Sequence, residues 1–186
     1  LDGKVAIVSG GARDIGRAVS VKLASEGAKV AVNYFNSKED ADQTLSEVKA
    51  VGGEAILVSG DMTIQEDVDR LVADCVSAFG ERVDILVNVV GGLVARKTLQ
   101  EMDAEFFDFL MRLNVTSTFM VTKAVVPHMG SGGSIINFTS PSFMRRSPRL
   151  VAYGTAKAAI IGLTRTLSRD FGAAGIRVNA VLPGWT

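Results

Sequence analysis

The sequence predicts an α/β protein, a doubly wound parallel sheet held between helices in three αβα layers. Short β-branched apolar runs alternate with segments of helical spacing, β-α five times and then one more β. The first run ends on a glycine-rich turn that opens a helix, where such sheets bind ligands. No repeat, low-complexity tract or linker interrupts the alternation, so residues 1–186 read as one domain.

Taken in order, Lys4 to Ser9 (KVAIVS) is a buried-strand run stopped by Gly10-Gly11. Helical spacing follows from Ile15 to Glu26, with Gly27 as the terminating glycine. Lys29 to Phe35 is the second strand. Ser37 with Asp40 opens the next helix, which runs to about Ala50 and stops at Gly52-Gly53. Glu54 to Ser59 is the third strand, and Thr63 with Glu66 reads as a capping box for a helix ending near Phe79. Val83 to Val89 is the fourth strand. Asp103 starts one long helical region through His128, and Ser134 to Thr139 is the fifth strand. A helix begins after Pro148, carries Tyr153 and ends at Gly172. Strand Arg177 to Leu182 then leads into Pro183-Gly184.

Composition narrows the function. Lys+Arg and Asp+Glu balance at 20 each, which gives nucleic acid no compositional support. Hydrophobic content of 47% with 19 glycines fits a soluble α/β protein. The longest apolar stretch, near Ile85 to Ala95, is broken by Asn88, Gly91 and Gly92, so no membrane span is expected, and no signal peptide pattern is visible. The single cysteine, Cys75, lies in a helical pattern and reads as a small buried residue rather than a nucleophile. A lone thiol fits a reducing, cytoplasmic compartment. No metal site is expected.

Two stretches carry candidate chemistry. Tyr153 and Lys157 stand at i and i+4, on one helix face. A phenol ordinarily releases its proton near pH ~10, and an ammonium one turn away favours the phenolate. The pair is a candidate proton donor and acceptor, with Ser140 upstream as a hydroxyl partner. Alone, the spacing more often describes a core-facing tyrosine beside a solvated lysine. The turn from Ser9 to Gly16 is the second stretch. Its glycines let main chain approach a pyrophosphate, and the helix start supplies free N–H groups and positive potential. A plain glycine-rich turn has the same composition.

Jointly these motifs resemble the short-chain dehydrogenase/reductase family, in particular its oxoacyl-carrier-protein reductase-like branch. The family's Thr-Gly-x-x-x-Gly-x-Gly motif keeps Gly10, Ile15 and Gly16 here, with Ser9 for the threonine and Asp14 for the middle glycine. Its Asn-Asn-Ala-Gly appears as Asn88-Val89-Val90-Gly91. Asp61-Met62 after strand three matches the family's adenine-contacting Asp, Asn114 the helix asparagine, and Pro183-Gly184 the turn beside the nicotinamide. Ser140 stands thirteen residues before Tyr153, as the family's serine does. The resemblance runs from Lys4 to Gly184.

It implies a Rossmann-type fold and an NAD(P)(H)-dependent oxidoreductase that interconverts a ketone and a secondary alcohol, in the reductase direction. Tyr153 would be the general acid/base. Lys157 would assist it and hold the nicotinamide ribose, Ser140 would bind the carbonyl oxygen, and Asn114 would interrupt its helix and position a water. The other implied cofactor contacts are Gly10, Arg13, Asp14, Ile15, Gly16, Tyr34, Asp61, Met62, Asn88, Gly91, Pro183 and Gly184. NAD is often selected by an acid at the end of strand two. That position is Tyr34, and Arg13 could pair with a 2′-phosphate, so NADP(H) is favoured, with NAD(H) as the alternative. A carboxylate at Asp14 opposes phosphate binding unless it turns to cap the helix.

A catalytically silent, cofactor-sensing protein is the competing reading. Arg145, Arg146 and Arg149 are either a solvated loop or an attractor for an anionic substrate or acidic carrier. His128 is expected to complement a helix end and takes no catalytic role. Family resemblance further implies a homotetramer built on the long helices. It also implies a C-terminal part, beyond Thr186, that covers a small-molecule substrate.

Overall fold

The computed structural model describes residues 1–184. Six parallel strands form one sheet: β1 Val5–Ser9, β2 Lys29–Tyr34, β3 Glu54–Ser59, β4 Ile85–Asn88, β5 Ser134–Phe138 and β6 Arg177–Val181. Their spatial order is β3-β2-β1-β4-β5-β6. The order reverses between β1 and β4, where Ser9 lies level with Asn88. Chain leaves this point in opposite directions, and the Rossmann-type crevice opens above the strands' carboxyl ends.

Strand periodicity sends alternate residues to opposite faces. On one face Ala6, Val8, Val30, Val32 and Val87 pack under α1 (Asp14–Ser25) and α2 (Lys38–Ala50), through Ala24, Ala41 and Val48. On the other, Val5, Ile7, Leu86 and Ile135 meet α3 (Gln65–Phe79) and α5 (Ser117–Val125), with α6 (Val151–Gly172) packed alongside through Leu167 and Phe171. Cys75 is fully buried in this second layer, and burial pushes its thiol up to about 12.

Several boundaries depart from expectation. Strand β2 stops at Tyr34 rather than Phe35, and β4 is only Ile85–Asn88, because Val83 pairs with His128 O instead of a neighbouring strand. No capping box forms at Thr63 and Glu66. Helix α3 starts one residue later, after Ile64, and Asp61 Oδ1 takes the Thr63 N–H at 2.8 Å while Asp67 Oδ2 takes the Asp61 N–H at 2.7 Å. Ser37 precedes α2 without a side-chain cap. The region from Asp103 is not one α-helix. Asp103 caps α4 (Ala104–Met111) by accepting Phe106 N–H at 2.7 Å, a π-helical turn follows over Arg112–Thr116, and α5 ends in a 3-10 turn at Val126–His128. His128 Nδ1 lies 3.2 Å from Glu81 O, remote from the crevice.

A buried polar chain crosses the second layer. Asn88 Nδ2 donates to Thr122 Oγ1 (3.1 Å) and Asn137 Oδ1 (2.9 Å), and Asn137 Nδ2 donates to Thr164 Oγ1 (3.0 Å). It joins α5, β4, β5 and α6. At the sheet's other end, buried Asp84 accepts from Val5 N–H (3.1 Å), Lys4 Nζ (3.0 Å) and Arg82 Nε (2.8 Å). Burial pushes this carboxyl up, but the three donors together hold it below the ordinary carboxylate range.

Candidate active site

The β1–α1 turn is fixed by side chains on three elements, β2, α1 and α2. Asn33, buried at the end of β2, accepts Gly10 N–H on Oδ1 (3.0 Å) and spends Nδ2 on Val58 O (3.3 Å) and Gly60 O (3.0 Å). Ser20 donates to Gly11 O (3.0 Å), and Thr44 of α2 donates to Ala12 O (2.7 Å). Arg17 reaches the same Ala12 O at 3.3 Å and Asp40 Oδ1 at 2.8 Å. Gly10 bends at φ +67°, and Gly16 packs so tightly that a Cβ there would lie 2.0 Å from Gly10 O. The first bond into α1 runs from Arg17 N–H to Arg13 O at 3.0 Å. The N–H groups of Asp14, Ile15 and Gly16 therefore have no helical acceptor and form an anion-binding end. A dinucleotide's pyrophosphate fits this glycine cradle. One feature opposes it: Asp14, an acid in the first turn of α1, has its side chain 86% exposed and lies 3.8 Å from Arg13 Nε.

Across the switch point, a second cluster forms at Gly91. Asn114, fully buried in the π-helical turn, accepts Gly92 N–H on Oδ1 (3.0 Å) and donates Nδ2 to Gly92 O (3.0 Å) and Leu110 O (3.0 Å). Lys157 extends from α6 to the same point, where Nζ donates to Phe138 O at 3.1 Å. A Cβ on Gly91 would lie 2.6 Å from Asn114 Oδ1 and 2.9 Å from Lys157 Nζ, so only glycine fits. Lys157 is 4% exposed, and this burial pushes its ammonium down to about 8.

Tyr153 is half-buried one turn before Lys157, with its ring centroid 5.8 Å from Nζ. Ser140 ends β5's exit and caps a 3-10 turn, its Oγ accepting Ser142 N–H at 3.2 Å. Among the described residues no hydrogen bond ties Tyr153 to Ser140 or Lys157. A small concavity beside Tyr153 is walled by Leu93, Ala95, Phe106, Leu110 and Leu150. A larger one of about 540 Å³, on the outer side of α4 and the π turn, shares no residue with these clusters.

The remaining expected contacts divide. Tyr34 ends β2 half-buried, and Asp61 sits on the neighbouring loop after β3. Met62 is 1% exposed and fills the core, so any contact it makes falls to its main chain. Asn88 is buried and its Nδ2 is spent within the fold, on Thr122 and Asn137, so any cofactor contact it makes is left to its other atoms. Pro183 and Gly184 follow β6 at the same carboxyl edge as the glycine turn. Arg149 is held by Glu101 Oε2 at 3.1 Å, while Arg145 and Arg146 are exposed. Asn33, Thr44 and Arg17 were not singled out from sequence as holding the turn. The signal available was Asn33, a polar residue closing an otherwise apolar strand. No group of three or more His, Cys, Asp or Glu side chains that could hold a metal occurs among the described residues, and no helix there is long and apolar enough to cross a membrane.

Comparison with known proteins agrees with this geometry. The family model described as short chain dehydrogenase matches residues 4–186. A 3-oxoacyl-[acyl-carrier-protein] reductase of Synechocystis sp. is 40% identical over 188 residues, covering 100% of this chain and 75% of the relative. The crystal structure of a dehydrogenase/reductase from Sinorhizobium meliloti 1021 matches with TM-score 0.96 and 38% identity, over 100% of this chain and 73% of that one. A short chain dehydrogenase from Burkholderia cenocepacia J2315, in complex with NADP, matches with TM-score 0.93 and 36% identity, over 99% and 75%. Sheet order, glycine turn and sequence thus agree along nearly the whole chain, which belongs to the short-chain dehydrogenase/reductase family of oxidoreductases.

Proposed function

We propose that the protein reduces a ketone to a secondary alcohol with NADP(H), using Tyr153 as general acid. The observation that carries this reading is the convergence of buried Lys157, Asn114 and Gly91 beside Tyr153, at the carboxyl edge of the sheet and across from the phosphate turn. A nicotinamide, when bound, supplies the hydride.

Tyr153 O–H donates a proton to the oxygen on which negative charge develops. The Lys157 ammonium stabilises the phenolate left behind, and its N–H groups not given to Phe138 O are free for a ribose. Ser140 accepts from Ser142 with a lone pair, which leaves its hydroxyl hydrogen to bind the carbonyl oxygen. Asn114 keeps the Gly91-Gly92 main chain against Lys157 and holds the route by which a water replaces the proton.

The turn N–H groups at Asp14, Ile15 and Gly16 bind the pyrophosphate. Asp61 and Met62 flank the adenine, and Pro183-Gly184 lie beside the nicotinamide. Tyr34 offers no acid to repel a 2′-phosphate, and exposed Arg13 can pair with one; the NADP complex of the Burkholderia relative supports the same choice. The substrate we propose is a small carbonyl compound, free or carrier-linked. Exposed Phe109 and Phe119 on α4 and α5 support a homo-oligomer.

The test is NADPH consumption by the purified chain with a panel of ketones and oxoacyl thioesters. Turnover that disappears in Tyr153→Phe supports the reading. NADPH binding without turnover of any carbonyl would replace it with a silent dinucleotide-binding protein.

A further inference from the structure

Asp14 opposes its surroundings twice. Its φ is +48°, in the left-handed region that L side chains rarely adopt. Such a conformation persists only where neighbours over-determine it, and here they do so on both sides. Gly16 leaves no room against Gly10 O, while Ala12 O is gripped by Thr44 and Arg17 and Gly11 O by Ser20. Nothing local compensates. The carboxylate is nearly fully exposed, and the ion pair formed with it among the described residues, to Arg13, is long at 3.8 Å. Carried by the first turn of α1, it places negative charge beside the turn's free N–H donors, and it lies within ion-pair distance of Arg13.

We infer that Asp14 sets the affinity of the dinucleotide site, weakening it by repelling the pyrophosphate and by competing with a 2′-phosphate for Arg13. This rests on the proposed dinucleotide-dependent function. The carboxylate makes the cofactor easier to release than the same turn would without it. Since the interacting charges are solvent-exposed, the effect is screened by salt, over a Debye length of about 10 Å at 0.1 M and about 3 Å at 1 M.

Direct titration of NADPH and of NADH into the wild type, Asp14→Asn and Asp14→Gly tests it, with cofactor-free unfolding midpoints showing that each variant is folded. Asparagine keeps the shape and tolerates positive φ; glycine removes charge and strain together. At low salt, Asp14→Asn is expected to lower the Kd for NADPH by roughly five- to tenfold, the size of one screened charge interaction. NADH should gain less, since it has no 2′-phosphate for the released Arg13. At 1 M salt the gain should shrink towards none. Asp14→Gly should tighten binding at least as much, so the test survives if either variant folds poorly. Kd values within twofold of the wild type at low salt for the folded variants, or weaker binding, overturn the inference while leaving the proposed function intact. Failure of wild type and variants alike to bind either dinucleotide overturns both.

Discussion

Asn114 and Gly92, 22 residues apart, exchange two hydrogen bonds of 3.0 Å each, one from Gly92 N–H to Oδ1 and one from Nδ2 to Gly92 O. A side chain thereby pairs with main chain as a neighbouring strand would. The pairing holds the loop after β4 against the tip of Lys157 and is served by the π-helical turn, which carries Asn114. Asn114→Ala would strand both Gly92 groups, each at about 1–3 kcal/mol if buried. The expected outcome is a loss of stability of about 2–3 kcal/mol, together with a fall in kcat of at least roughly tenfold. Gly91→Ala should lower kcat comparably, because its Cβ would press on Asn114 Oδ1 and Lys157 Nζ. Chemical denaturation and carbonyl-reduction kinetics check the pair.

Lys157 ties activity and stability to pH in opposite senses. Its folded value of about 8 lies below the ordinary 10.5, so between these limits the unfolded chain binds more protons than the folded one. Stability contributed by this site is therefore lowest below pH 8 and rises as pH climbs from about 8 to 10.5, by up to about 3 kcal/mol. Activity should do the reverse and decline above about pH 8 as the ammonium is lost. Denaturation of wild type and Lys157→Met across this range checks the first statement: the variant's stability relative to wild type should fall as pH rises. A pH–rate profile checks the second.

Thr44 acts on the phosphate turn from another helix, through its 2.7 Å bond to Ala12 O. Thr44→Val keeps the shape but removes the hydroxyl that donates to Ala12 O and accepts from Arg17 Nε at 3.0 Å, at a cost of about 1–3 kcal/mol. Because the turn is the element loosened, Kd for NADPH is expected to rise roughly three- to tenfold with the fold intact. Titration alongside an unfolding curve separates the two effects.

Asp84 supplies the contrasting case, a buried carboxylate at the amino edge of the sheet. Its folded pKa is depressed, so the stability it contributes is present above the ordinary carboxylate range and is lost as pH falls through its folded pKa, below about pH 4. Asp84→Asn should cost about 2–3 kcal/mol near neutrality, lowering Tm by roughly 4–12 °C. NADPH affinity of the folded protein should stay within a factor of about two. Thermal melts with matched titrations decide it.

Much of this architecture is legible in the chain because β1 and β4 are buried on both faces and read as unbroken apolar runs between helical spacings. Tyr153 and Lys157 are legible for a local reason, one turn of one helix. What escapes is set by distant partners. Helical spacing over Asp103 to His128 cannot announce a π turn, since the turn depends on a carboxamide meeting Gly92. Asp61 and Asp67 displace the Thr63–Glu66 box because their carboxylates reach the loop's N–H groups first, a choice of geometry that two plausible spacings leave open. Asn88 sits in a motif associated with cofactor, yet its orientation is decided by Thr122 and Asn137, 34 and 49 residues away. Asn33 reaches back 23 residues to Gly10.

The buried chain from Thr122 through Asn88 and Asn137 to Thr164 also works as a key cut for one lock. Shifting β5 by a single residue against β4 would set Ile136 or Phe138 opposite Asn88 and strand two amides in a dry interior. The same slip would turn Ile135 out of its layer. Mispairing is thus rejected at the centre of the sheet, and Ser140, two residues beyond β5, is delivered to the level of the glycine turn by the same strand alignment.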